Sequence, residues 1–212
     1  MRRLLLAAAV ALLTAGCGTQ TPDYQSIWTT STTTTSPTKA EEPVPFAQYL
    51  DSAGVGEEQV APDALPDLTV SMPIPPGWAK HTSPTMPPAT EVITKDGAYP
   101  NAMLMVFKLI GDFDPREAVK HANGDVLMSK NFKQLDASDA DFHGFPSSMI
   151  QGSFDLNGKR LHSFNRVVIA TGSPPASQRY LIEFAVTTLA DQAAAQSTEI
   201  ESLIKGFTVA AK

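Results

Sequence analysis

The stretch Leu156-Asn157-Gly158-Lys159 constrains this fold more than any other, because it separates two strand-like runs, 147–155 and 160–170. Asn-Gly is the dipeptide that best accepts positive φ at both central positions of a two-residue hairpin turn. A turn of that kind pairs its flanking runs antiparallel and sets their register, and with it which side chains share a face. Similar runs lie at 133–141 and 179–188, and Gly172-Ser173-Pro174-Pro175 links the last pair in the same manner. Upstream, LTVSM (68–72) alternates as a strand and runs into PIPPGW (73–78), followed by TEVIT (90–94) and AMLMVFKLI (102–110). The last of these is apolar on both faces and is expected at the centre of the sheet.

Three segments read as helices. PFAQYLDSAG (45–54) is a short one stopped by Gly54, with Phe46, Leu50 and Tyr49 inward. Asp114-Pro115-Arg116-Glu117 carries a capping aspartate, proline at the first helical position and glutamate where a capping box places it. That helix is expected to run to Ser129, burying Ala118, Val119, Ala122, Val126 and Leu127. A closing helix over 189–205 is capped by Thr188 with Asp191 three residues on, and Gly206 ends it. Its inward stripe is Ile200, Leu203 and Ile204, then Phe207. The fold class is therefore α+β, an antiparallel β-sheet flanked by helices in an α/β/α sandwich.

The beginning of the chain has a different character. Arg2 and Arg3 precede an apolar run from Leu4 to Leu13 and the small residues Thr14, Ala15 and Gly16. This is the build of a signal peptide, and its apolar run is half of the ~20 residues needed to span a bilayer. Directly after it stands Cys17, the only cysteine. No disulfide can form within the chain. Ala15-Gly16-Cys17 resembles the lipobox of bacterial lipoproteins, in which the thiol receives a diacylglyceryl group and the chain is cut before the cysteine. Thr14 departs from the leucine usual three residues before it. One acyl chain anchors marginally and two anchor stably.

Residues 17–44 include TTSTTTTSPT (29–38) and EEPVP (41–45), a composition too poor in apolar groups to offset the entropy of ordering. They read as a lipidated, disordered Thr/Pro-rich tether with a reach of ~25–30 Å. The Thr cluster serves either as an attachment region for O-linked sugars or as a bare polar spacer. The organisation is thus 1–16 signal peptide, 17–44 tether and 45–212 a single globular domain. From Gly18 to Asp67 there are eight acidic residues and one basic, so the acidity of a chain with net charge −6 lies in its first third and the region beyond Asp67 is nearly neutral. No basic face for nucleic acid and no polybasic membrane patch is present. The expected location is the cell membrane, lipid-anchored on its extracytoplasmic face.

The PPGW turn after a strand, the Asp-Pro-opened helix, the hairpin strands and the closing helix together resemble the PsbP-like sandwich. The lipobox, the Thr-rich tether and VAPDALPDLTVSMPIPPGW (60–78) are similar to the LpqN/LpqT family of mycobacterial lipoproteins, over nearly the whole chain. The resemblance implies an envelope lipoprotein connected with mycolate–trehalose glycolipid export, with envelope glycolipids, an RND-type lipid transporter or other envelope proteins as partners. It brings no catalytic residue and no cofactor.

The residues themselves point away from catalysis. His81, His121, His143 and His162 lack metal-ligand spacing. There is no GxSxG elbow, and Ser147-Ser148 begin a strand, without the sharp turn an activated nucleophile needs. Asp136, Asp139 and Asp141 could be read as paired acids, but strand alternation makes Asp139 and Asp141 part of one solvated face, and no glycine-rich loop is placed to hold phosphate. Binding remains. Met103, Met105 and Phe107 line one face of the central strand and suit an acyl chain, although core packing is their commoner use. Trp78 either stacks on a sugar or closes the strand end, and Phe142 and Phe145 offer a rim. These six residues, with Cys17 as the anchor, are the candidate site. A non-catalytic binding or adaptor lipoprotein is the expected function. A hydrolase of envelope lipid esters and a surface antigen with a host-modulating acyl group are the alternatives.

Overall fold

The computed structural model describes residues 42–82, 86–95 and 97–212. The signal peptide, Cys17 and the tether up to residue 41 lie outside the described residues. The unit Glu41–Lys212 contains α1 (Phe46–Ser52), β1 (Gly56–Val60), β2 (Leu68–Ser71), β3 (Ala79–Lys80), β4 (Glu91–Thr94) and β5 (Asn101–Ile110). It continues with α2 (Pro115–Ala118), α3 (Gly124–Leu127), β6 (Lys133–Ser138), β7 (Ser147–Leu156), β8 (Lys159–Thr171), β9 (Arg179–Leu189), α4 (Ser197–Gly206) and β10 (Thr208–Ala211).

The large sheet runs β3-β4-β5-β9-β8-β7-β6, with β1 also paired to β5, and β10 pairs with β2 in a second, two-stranded sheet. Asn157 and Gly158 take φ of 50° and 75°, and the turn aligns Leu156 with Lys159 and Phe154 with Leu161. All ladders are antiparallel.

Register divides the large sheet into two faces, since directly opposed residues point the same way. On the front, Leu104 lies opposite Phe184 and Phe184 opposite Arg166. This face packs beneath α4 and the small sheet in a core that includes Val70, Val106, Val168, Ile182, Phe184, Leu203, Phe207 and Val209. On the back, Phe107 lies opposite Leu181 and Leu181 opposite Ile169. There α1 and the segment 114–122 close a second core with Phe46, Leu50, Val55, Leu109, Ala118, Val119 and Ala122. Elements on both faces of an antiparallel sheet make the expected α+β sandwich.

Two helices differ from expectation. The 115–129 segment is not continuous: α2 passes into a 3-10 turn, Val119–His121, and only then into α3. Asp114 does cap it, accepting from the Arg116 amide at 2.8 Å, whereas Glu117 turns to Lys120 instead of closing a capping box. The break falls at Asn123-Gly124. The Asn123 side chain donates to Ser148 Oγ at 2.8 Å, and a Cβ on residue 124 would collide with the Val44 carbonyl. Leu127, expected inward, is 43% exposed, and Val126 is half-buried.

The last helix starts at Ser197, not Leu189, because β9 stays paired through Leu189 with Leu161. Thr188 is buried and its hydroxyl bonds the Gln196 side chain instead of capping a first turn. Gly206 remains helical; its lack of a side chain lets Pro73 approach, whose Cγ would lie 2.6 Å from a Cβ there. Leu203 and Phe207 are buried as expected, with Ile200 and Ile204 packed beside them.

Candidate functional site

The PIPPGW stretch carries the chain from β2 to β3. Trp78 N donates to Pro75 O at 3.0 Å, closing a turn in which Gly77 takes φ 82°. Trp78 itself is buried, and its indole N–H donates to Glu199 Oε2 on α4 at 3.2 Å. Lys95 Nζ donates to Glu199 Oε1 at 2.6 Å. These two donors, Lys95 first, hold the Glu199 carboxyl below the ordinary glutamate range. Trp78 thereby fastens the proline-rich turn to the closing helix.

That fastening leaves an open groove between the small sheet and the β3–β4 edge of the large one. Its volume is about 420 Å³, within the range of small-molecule sites. Val70, Met72, Ile74 and Ile93 give it an apolar wall, and Asp63, Lys80, His81, Thr90 and Glu91 a polar rim. Lys80 Nζ stands 3.7 Å from Glu91 Oε1. Ile74 is 48% exposed, an aliphatic side chain held in the open between prolines that cannot continue a strand.

The six residues singled out from the sequence do not converge. Met103, Met105 and Phe107 are half-buried on the back of the sheet, with Phe107 packed on the second core. Trp78, Phe142 and Phe145 belong to the front core or pack against it. The Phe142 ring stacks on Phe207 at 5.3 Å, and the Arg166 guanidinium lies 4.6 Å from its centroid. The groove residues were not singled out. Their signal was Ile74 in a proline frame, but its opposite wall comes from residues about twenty positions onward.

The polar candidates are dispersed as well. Ser147 and Ser148 are fully buried; Ser147 Oγ accepts from Arg166 and Ser148 Oγ donates to Asp139 at 2.9 Å. Asp139 and Asp141 are exposed. Asp141 takes a bidentate pair from Arg116 at 3.0 and 2.8 Å, which lowers its carboxyl. Among the histidines, His81 rims the groove, His121 stacks on Tyr49, His143 Nδ1 meets Val209 O, and burial lowers His162. Among the described residues no cluster of His, Cys, Asp and Glu could hold a metal ion, and no helix is long and apolar enough to cross a membrane.

Glu183 on the back face is exceptional. Burial, with Glu57 and Asp125 adding to it, pushes its carboxyl up to about 7 from 4.5. A raised acid binds its proton more tightly when folded, so stability is greatest below the unfolded value and falls as pH rises from 4.5 toward 7. Glu183→Gln is expected to be neutral at pH 5 and to stabilise by about 2 kcal/mol at pH 8. Urea unfolding at the two pH values measures this, and an equal effect at both contradicts it.

An antiparallel sheet with elements packed on both faces and an apolar groove at one edge defines an α+β sandwich. The chain belongs to the LpqN lipoprotein family: the family model described as "Probable lipoprotein LpqN" matches residues 42–210. It is 55% identical over 216 residues to the putative lipoprotein LpqT of Mycobacterium tuberculosis, covering 100% of this chain and 96% of that one. To the proline-rich 28 kDa antigen of the same species it is 36% identical over 167 residues, 77% of this chain and 53% of that one. The crystal structure of M. tuberculosis LpqN, described as involved in cell envelope biogenesis, superposes with TM-score 0.66 at 19% identity, over 80% of this chain and 99% of that one.

Proposed function

We propose that this chain is a membrane-anchored envelope lipoprotein whose domain is a non-catalytic binding module for an amphiphilic glycolipid of the mycolate/trehalose type, acting in envelope biogenesis. The observation that carries the reading is the groove, whose apolar wall of Val70, Met72, Ile74 and Ile93 suits an acyl chain and whose rim of Lys80, His81 and Thr90 suits sugar hydroxyls. Family membership and the involvement of LpqN in cell envelope biogenesis support it. Two acyl chains on Cys17 would hold the protein at the extracytoplasmic face, with the tether carrying the groove a short way from the lipid surface.

The test is a titration of the chain lacking residues 1–16 with a trehalose glycolipid. Saturable binding is expected, weakened at least about tenfold by Ile74→Asp, which places a charge on the apolar wall. Absence of saturation, or no response to that substitution, refutes the reading. Cys17→Ser is expected to move the protein from the membrane fraction to the soluble one. Retention in the membrane fraction, with acyl labelling intact, would remove the anchor from the account.

A further inference from the structure

The segment that follows the tether enters the domain beside Gly124. Phe46 N donates to Asp125 Oδ2 at 2.9 Å, and the Val44 carbonyl fills the space that a side chain on residue 124 would need. From Gly124 the chain passes Leu127 and Met128 and meets the β7–β8 hairpin near its tip. There the Asp155 amide donates to the Lys130 carbonyl at 2.9 Å, Asn131 Nδ2 to Asp155 Oδ2 at 2.6 Å, and Arg160 to the Asn131 carbonyl at 2.9 Å. Leu127, Met128 and Leu156 are 43%, 46% and 45% exposed, and Leu156 lies opposite Lys159 in the turn.

Lysines stand among these exposed aliphatic side chains. Lys130, Lys133 and Lys159 are themselves exposed, and none is ion-paired to a carboxylate of the described residues. The neighbouring acids are engaged, Asp125 by the Phe46 amide and Asp155 by Asn131 and Arg160. Segments 124–134 and 153–160 together carry four basic residues and two acidic, in a region that is otherwise nearly neutral. No run of basic residues marks this corner in the sequence, because the fold assembles its lysines from two separate segments. Aliphatic side chains interspersed with lysines suit a lipid surface, whose acyl boundary takes the former and whose anionic headgroups attract the latter.

The tether decides the occupant. A domain held by Cys17 is joined to its bilayer through the segment that enters at this corner, and such a linkage keeps the lipid surface at high local concentration, so that individually weak contacts suffice. We infer that this corner rests on an anionic phospholipid surface, with Lys130, Lys133 and Lys159 at the headgroup phosphates and Leu127, Met128 and Leu156 at the acyl boundary. The inference extends the anchored reading proposed above, but it is measured without the anchor, so either can fail alone. The groove belongs to β3 and β4, at the other end of the strand order from β7 and β6, and docking at this corner does not occupy it.

The experiment uses the chain lacking residues 1–16 and carrying Cys17→Ser, which leaves no acyl group and no other cysteine. It is titrated with vesicles of phosphatidylcholine alone and of phosphatidylcholine and phosphatidylglycerol in equal parts. Saturable co-sedimentation is expected with the second vesicles and not with the first, weakening as salt rises. Each Lys→Gln change at 130, 133 or 159 should lower the affinity roughly fivefold, and the triple variant on the order of a hundredfold. A polarity-sensitive fluorophore on Met128→Cys should move to a drier environment on the anionic vesicles, while the same label on Ile74→Cys in the groove should not. The inference is overturned if the anionic vesicles do not bind saturably, if neutral vesicles bind equally, if the triple variant binds as the parent does, or if the label at position 74 responds in place of that at 128. Binding of a trehalose glycolipid by the triple variant, unchanged from the parent, separates this corner from the groove.

Discussion

Phe184→Ala is expected to destabilise the domain by about 3–5 kcal/mol, the usual range for truncating a buried phenylalanine. Phe184 is 1% exposed on β9 at the middle of the front face. Its ring stacks on Phe207 at 4.4 Å, and Phe207 stacks on Phe142 at 5.3 Å. Phe164 meets it edge-on at 6.2 Å. This column joins the sheet, the end of α4 and the loop before β7, so none of the three can collapse into the space without pulling on the others. Urea unfolding measures the effect, with Leu127→Ala as a surface control expected within ~0.5 kcal/mol. A loss below about 1 kcal/mol for Phe184→Ala would show that the column is not the centre of the core.

Gly172→Ala is expected to cost about 2–4 kcal/mol through displacement of a buried carboxylate. Asp67 occupies the space a Cβ on residue 172 would need. Its Oδ1 accepts from Tyr180 Oη at 2.7 Å and its Oδ2 from the Gln178 amide at 3.2 Å. Its backbone oxygen accepts from the Ser173 and Lys212 amides. Burial, aided by Asp67, pushes the Tyr180 phenol up to about 12, keeping it a donor throughout the physiological range. This cluster ties the start of β2, the β8–β9 turn and the C-terminus together. Tyr180→Phe removes one of the same bonds, so the double variant should be less destabilised than the two single losses combined. Strict additivity would contradict the shared network.

The parts of the fold that were legible in sequence are those decided locally. Asn157-Gly158 specifies its turn by backbone chemistry alone, and the alternation along 147–156 and 159–171 follows from that register. The strands β1 and β10 carry no local signal, because GEEQV is largely exposed and TVAA is short, and each gains its partner only from a distant segment. The closing helix begins eight residues later than its sequence suggests, because nothing local in Thr188-Leu189 shows that the ladder with Leu161 continues. The break at Gly124 depends on Val44, which lies 80 positions away. The methionine stripe on β5 was legible from its period of two. The groove was not, since its walls come from separate sheets.

Methionine-methyl NMR of the domain during addition of a trehalose glycolipid tests the central claim most directly. Met72 lies in the groove wall, and Met103 and Met105 lie on the opposite face of the sheet. The account predicts a saturable shift of Met72 with Met103 and Met105 unmoved. A glycolipid-induced shift confined to Met103 and Met105, or none that saturates, would contradict it.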